Sequence, residues 1–445
     1  MKAVEEIKKS NLNRPEPNSI PEDWKWTEFG SVFKFLSTFS FSRDDLTSEK
    51  DNGELLYIHY GDIHAKFENE IVDFDLDNRV PFLIDGFFSK EDLEDDEFPL
   101  LQDGDLIIAD ASEDYEGVAE CVELKNVKDK KIISGLHTIA ARDKNGNTAQ
   151  GFRTYIFNHP KVSNSLKRFA QGISVYSISK THLAEIKIPL PPLAQQQSIA
   201  KLLTTWDNAI TKMQSLIIQK QLNKKWLMQV LLIGKERING FNEEWKMDFI
   251  SNVTKRVRTA FSPELIQMYR EIGIRSHVKG IFHKELKSGK DIGEKSVFWV
   301  EPDCFIFNIV FAWEHAIAKT TMAENGMIAS HRFPMYKPKK GVMNLDFLLY
   351  YFSSPRGKYL LGVASPGGAG RNKTIGQTEF QKLQIPVPPI EEQNAIAELM
   401  QSADKEIQLL KSELEKLKEQ KKGLMQQLLT GKLRVKNLKT KNENL

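Results

Sequence analysis

The stretch GGAGRNKT at 367–374 offers the chain's most phosphate-like chemistry, a Gly-rich loop closed by Lys and Thr. It departs from the pattern G-x-x-x-x-G-K-[ST] because Asn372 stands where the second glycine must let the backbone turn toward a phosphate. The segment reads instead as a polar loop, with Arg371 and Lys373 of a type that touches a phosphate backbone. A second fragment, "EIK" from Glu185, has the acid-x-lysine form of a nuclease site. Its counterpart later in the chain is Lys382, Leu383, Gln384, so a strand entering the following Pro-Pro corner explains it better. The nine histidines show no paired metal spacing, and no G-x-S-x-G is present. Cys121 and Cys304 are too far apart in sequence for a zinc motif and too few for a disulfide framework, so both read as reduced structural thiols.

The Pro-Pro pairs are also not an amino-methyltransferase (D/N)PP(Y/F) site. Leu190 and Val387 precede them and Leu193 and Ile390 follow, leaving no polar group for an amino nitrogen and no aromatic ring to stack a base. Their role is positional. IPLPPLAQQQSIAKLL begins at Ile188 and IPVPPIEEQNAIAELM at Ile385, 197 positions later, and the match continues without a gap to Gly234-Lys235 and Gly431-Lys432. Gln196 meets Gln393, Ile199 meets Ile396 and Asp207 meets Asp404.

The period within each copy is helical. Ile199, Leu203, Trp206, Ile210, Met213 and Ile217 alternate steps of four and three, as do Ile396, Met400, Ala403, Ile407, Leu410, Leu414 and Leu417. Prolines block extension backwards and the glycines mark the ends. Each helix is expected to be about 39 residues, or about 58 Å at about 1.5 Å per residue. That outruns a domain whose radius of gyration is about 14 Å, so the helices are not ordinary core helices. The segment between them leaves the end of one and enters the start of the other, which predicts an antiparallel pair with a globular segment at each end, a pseudo-twofold dumbbell. Lys224 and Lys421 interrupt the two seams, which predicts that part of the seam faces water or another protein.

At 445 residues two or more domains are expected. Lys plus Arg number 62 against 60 for Asp plus Glu, a net charge of +2 that leaves any basic surface to local segregation. The N-terminus lacks the apolar run of a secretory signal, and the longest apolar run is too short for a transmembrane helix, so no membrane association and a cytoplasmic location are expected. The globular segments share landmarks. "IPEDWKWTEFG" opens one and "GFNEEWKMDFI" the other, aligning Trp24 with Trp245. Both carry strand-like runs, "LLYIHYGDIH" and "DLIIAD" in the first, "REIGIRSH" and "CFIFNIVFAW" in the second. The acidic "EDLEDDEF" from Glu91 reads as a solvated outer loop.

On the doubled "PLPPLxxQ…I" and its long helix, the chain resembles the specificity subunits of type I restriction-modification systems over essentially its whole length. The resemblance implies an α+β fold: an N-terminal extension (1–20), a mixed α/β target-recognition domain (21–187), a conserved spacer helix (188–234), a second such domain (235–384), a second conserved helix (385–433) and a tail (434–445). It implies that each domain reads one half of a bipartite double-stranded DNA sequence. Two methyltransferase subunits would dock on the helices and ATP-driven restriction subunits would join them, so S-adenosylmethionine, ATP and Mg belong to partners. The chain itself would hold no cofactor, no metal and no catalytic residue.

Side chains able to reach groove edges are then Tyr60, Asp62, His64, Lys66, Tyr115, His137 and Ser177 in the first domain. In the second they are Arg275, Ser276, His277, Lys279, Lys284, Trp313, Glu314, His331 and Arg332, with Arg371 and Lys373 at the polar loop. Lys224, Lys421, Trp206 and Leu417 are the expected partner-interface residues. Two other readings stay open: a coiled-coil scaffold with protein-binding ends, and an autonomous DNA methyltransferase or nuclease.

Overall fold

The computed structural model describes residues 20–49, 53–67, 70–113, 117–170, 175–367 and 373–435. They form two compact units, one built from residues up to 212 together with those from 414 onward, the other from 213–413. Each unit is a mixed α/β domain carrying part of both long helices.

The first long helix runs Leu193–Leu231, 39 residues, and the second Ile390–Leu429, 40 residues. Their seams are buried at the predicted period: Ile199, Leu203, Ile210 and Ile217 in one, Ile396, Met400, Ile407 and Leu414 in the other. In the first unit the opening turns of helix one (Ile199, Ala200, Leu203) share a core with the closing turns of helix two (Met425, Leu428, Leu429). In the second unit the relation is exchanged, with Val230 and Leu231 packed among Ile396, Ala397 and Met400. The start of one helix thus lies beside the end of the other, which is antiparallel packing. Each such buried side chain contributes about 1.5–3 kcal/mol, an upper estimate because the unfolded chain already hides some apolar area.

The same strand pair opens and closes both domains. Lys25–Glu28 pairs antiparallel with Lys187–Leu190, and Lys246–Phe249 with Gln384–Val387. The second strand of each pair is the one that enters the Pro-Pro corner; of the "EIK" fragment only Lys187 lies on it, while Glu185 closes the helix Lys180–Glu185 and Ile186 links the two. Within the first unit lie a five-stranded sheet, ordered Phe33–Phe35, Thr138–Asp143, Leu106–Ala109, Cys121–Lys125, Ile71–Asp73, and a four-stranded one around Leu55–Ile58. The second unit also has a four-stranded sheet (Thr254–Val257, Met335–Pro338, Phe305–Phe307, Ile317–Lys319) and a five-stranded one around Met268–Ile274. Cys121 and Cys304 are both buried and free.

Three strand-like runs are shorter than the sequence suggests. In "LLYIHYGDIH" the strand stops at Ile58 and Tyr60–Ala65 is helical, because the His59 ring caps the Gly61 amide at 3.0 Å while Asp62 reaches back to the His59 amide at 2.8 Å. "REIGIRSH" leaves its strand at Ile274, and "CFIFNIVFAW" keeps only Phe305–Phe307. The acidic segment is not a bare loop: Lys90–Glu94 forms a short exposed helix capped by Ser89.

Candidate nucleic-acid interface

In the first unit, four of the expected residues gather around Asp110–Ser112, where strand Leu106–Ala109 ends. Tyr60, on the first turn after the His59 cap, lies edge-on to His137 with ring centroids 5.4 Å apart and to His64 at 6.1 Å. His137 holds a left-handed backbone (φ 55°) immediately before strand Thr138–Asp143, and its Nδ1 sits 3.2 Å from Asp110. His64 meets Glu120 at 2.6 Å and the Ala111 carbonyl at 3.3 Å. Ser177 pairs with Ala111 and is exposed. The surface therefore presents a phenol, two imidazoles and a hydroxyl. Burial raises the Asp110 carboxyl above the usual carboxylate range although the neighbouring His137 pulls it down.

Asp62 and Lys66 do not join this surface. Asp62 is buried, with one carboxylate oxygen on the His59 amide and the other 2.6 Å from Lys66, whose ammonium also donates to the Arg79 carbonyl at 3.0 Å. Both serve the local fold. Tyr115 lies outside the described residues.

In the second unit the hairpin after strand Met268–Ile274 meets the loop after strand Phe305–Phe307. His277 donates its amide to the Glu314 carbonyl and Val278 its amide to that of His315, each at 2.9 Å. The Ser276 hydroxyl reaches the Glu314 carboxylate at 3.3 Å. His277 (φ 61°), Val278 (φ 56°) and His315 (φ 59°) are all left-handed. For β-branched Val278 this conformation is sparsely populated and is held by the two interloop bonds. The Arg275 guanidinium stacks on Phe282 at 4.9 Å, and Lys373 lies over the Trp313 ring at 5.7 Å. Lys279 is exposed at the hairpin tip.

Burial keeps His315 largely uncharged, its pKa pushed down to about 4 with Lys358 and His277 adding to the effect. Arg332 is tied to the same loop through its carbonyl, which accepts the Ile309 amide at 2.9 Å, and exposed His331 donates its amide to Ser296 at 3.3 Å. Lys284 stands apart on strand Ile281–Ser288, 3.5 Å from Glu271. Arg371 lies outside the described residues.

The lysines that interrupt the helical seams both meet carboxylates within the chain. Lys421 is 8% exposed, 2.6 Å from Glu70 and ion-paired with Asp207, which also accepts the Tyr155 hydroxyl at 2.5 Å. Burial alone would lower the Lys421 pKa, but the two carboxylates outweigh it and hold it above the usual lysine value. Its ammonium is turned toward these carboxylates rather than toward water. Lys224 pairs with Asp404 at 2.5 Å, Tyr350 donates to the same carboxylate at 2.8 Å, and Lys224 lies over the Tyr350 ring at 5.3 Å. Trp206 and Leu417 are half-buried.

A second apolar stripe, outside the four-three seam, is what the sequence reading missed. Ile218, Leu222 and Trp226 recur every four residues on helix one and are 55%, 60% and 52% exposed. The step of four is visible in the sequence, but next to a stronger seam it carries no sign that its side is uncovered.

No helix among the described residues is long and apolar enough to cross a membrane. The chain matches the family model for the type I restriction modification DNA specificity domain over residues 21–222 and 301–419. It is 23% identical to the type I restriction enzyme MjaVIII specificity subunit of Methanocaldococcus jannaschii, across 97% of this chain and 98% of that protein. It also superposes on the crystal structure of the HsdS subunit from Thermoanaerobacter tengcongensis with a TM-score of 0.50 at 16% identity, covering 94% of this chain and 99% of that one. A chain from a structural study of complex assembly and conformational transition of the type I R-M system gives a TM-score of 0.57 at 15% identity, covering 94% and 100%. These two likenesses are of fold. Because the family model spans most of both domains and both helices, the chain belongs to the type I restriction-modification DNA specificity family.

Proposed function

We propose that this DNA specificity subunit reads a bipartite double-stranded target, one half with each domain. The observation that carries this reading is one frame bearing two different surfaces. Both domains begin and end on the same strand pair and the same Trp-to-helix hydrogen bond, Trp24 to Gln195 at 3.0 Å and Trp245 to Glu392 at 2.9 Å. On that frame one domain presents Tyr60, His64, His137 and Ser177, the other Arg275, Ser276, His277, Lys279, Trp313 and Glu314. Arg and Ser suit base edges in the major groove, and different donor sets select different base pairs.

Two methyltransferase subunits dock on the helices in this reading, and Ile218, Leu222 and Trp226 are the apolar side chains available for one of them. Restriction subunits join that assembly. S-adenosylmethionine is used by the methyltransferase subunits, ATP and Mg by the restriction subunits, and this chain is the non-catalytic member. The test is methyladenine mapping in cells that express the cognate methyltransferase with and without this chain. A split motif that depends on the chain supports the reading; a methylome unchanged by its loss, with assembly verified, rejects it.

A further inference from the structure

Thr254–Val257 is the edge strand of the second unit's four-stranded sheet and pairs antiparallel with Met335–Pro338. Lys255 stands directly opposite Lys337 in that register. Directly opposed residues share a face with Cβ atoms about 4.5–5.5 Å apart, where like charges destabilise the pair. Arg256, Arg258 and Lys339 line the same open groove of about 450 Å³. All five are exposed, and none forms an ion pair among the described residues. The acid among the lining residues, Glu301, already accepts the Thr259 hydroxyl at 2.7 Å.

Charges on an edge strand often serve only to block addition of another strand. That explains Lys255, Arg256 and Arg258. It does not explain Lys337 and Lys339, which belong to the inner neighbour and its exit. Lys339 donates to the Ser251 carbonyl at 3.4 Å and Arg258 lies over the Phe298 ring at 5.0 Å, but neither contact supplies a counter-charge, so an anionic ligand would stabilise the group. The groove has no aromatic ring or side-chain amide among its lining residues, so it offers no aromatic platform for a base and no amide to pair with adenine. What its lysines and arginines do fit is phosphate, which positions a duplex without specifying its sequence.

We propose that this basic strand pair is a phosphate-backbone clamp: Lys255, Arg256, Arg258, Lys337 and Lys339 hold the DNA backbone beside the half-site that the second domain reads. The proposal rests on the DNA-reading function above. It adds a contact surface separate from the base-reading loops, one that supplies affinity and register.

The test uses the complex with its methyltransferase partner, carrying Lys255→Gln, Lys337→Gln and Lys339→Gln together. Binding to a target duplex and to an unrelated duplex is measured over a salt series. The expected result is a salt slope of log K shallower by about 0.9 for each lost phosphate contact, an equal fold loss of affinity for both duplexes, and an unchanged methylation motif. An unchanged slope, or a motif altered in either half, overturns the clamp. The unsubstituted complex separates the two ideas: if it does not prefer its target, the DNA-reading function fails; if it does and the variant keeps its slope, only the clamp fails. Should the triple variant not fold, Lys337→Gln alone is read in the same way, with a slope change of about 0.9 expected and no change counting against the clamp.

Discussion

Lys224 on helix one meets Asp404 on helix two at 2.5 Å, and the same contact recurs with the helices exchanged as Lys421 against Asp207. All four residues are related in pairs by the 197-residue offset of the repeat. A tyrosine from the adjoining domain, Tyr350 or Tyr155, completes each site by donating to the same carboxylate. The crossed pairs thus tie each domain to both helices of its own unit. Their environments differ, because Lys421 is buried and also engages Glu70, whereas Lys224 keeps more contact with solvent.

That difference sets the first prediction. Lys421→Ala leaves Asp207 and Glu70 without their cation in a buried setting, and should destabilise the first unit by about 3–5 kcal/mol. Lys224→Ala should cost about 1 kcal/mol or less, because a more solvated pair contributes less. Urea unfolding of both variants checks the order. A larger loss for Lys224→Ala would contradict it.

The helix ends give a second. Gly431 (φ 68°) and Gly234 (φ 71°) both terminate in the left-handed conformation, where a Cβ is strained. A Cβ on Gly431 would lie 2.3 Å from Pro21, whereas on Gly234 its nearest neighbour is the Trp245 ring at 3.1 Å. Gly431→Ala should therefore lower the melting temperature further than Gly234→Ala. Equal losses would mean that backbone strain alone operates.

Glu123 gives a pH prediction. It is fully buried on strand Cys121–Lys125, and burial pushes its pKa up to about 7 although the Gly151 amide donates to it at 2.6 Å. A carboxyl with a raised folded-state pKa stabilises most when protonated. Its contribution is complete below the unfolded value near 4.5 and is lost as pH rises through about 7. Glu123→Gln cannot ionise, so the stability difference between variant and parent should shift in favour of the variant from pH 5 to pH 8. Thermal melts across that range test it; a pH-independent difference would refute it.

Leu222 and Trp226 give the fourth. Both are more than half exposed on helix one, so replacing them with Asp should leave the fold's melting temperature nearly unchanged while weakening association with the methyltransferase. Titration by analytical ultracentrifugation checks this, and full association by the double variant would remove this stripe from the docking surface.

The repeat and the helices were legible in the sequence because an ungapped offset and a regular period report burial directly, and their antiparallel sense because the segment between them leaves the end of one helix and enters the start of the other. The lysines were legible as exceptions to the seam, but not as partners of Asp207 and Asp404, because that contact joins opposite ends of two helices. Local misreadings have a common cause. His59 is not among the residues usually expected at an N-cap, so the helix that aims Tyr60 and His64 looked like a continuing strand. Val278 carries no signal for left-handed backbone, so the turn that brings Ser276 to Glu314 looked like the end of the strand-like REIGIRSH run. The basic groove was divided between "TKRVR" and "YKPKK", some eighty positions apart, and only strand pairing joins them.

The most direct measurement exchanges residues 241–384 for the matching domain of another specificity subunit and maps methyladenine in cells with the same methyltransferase. If the two domains are independent readers, the new motif keeps one half of the original target and changes the other. A motif altered in both halves would contradict that independence.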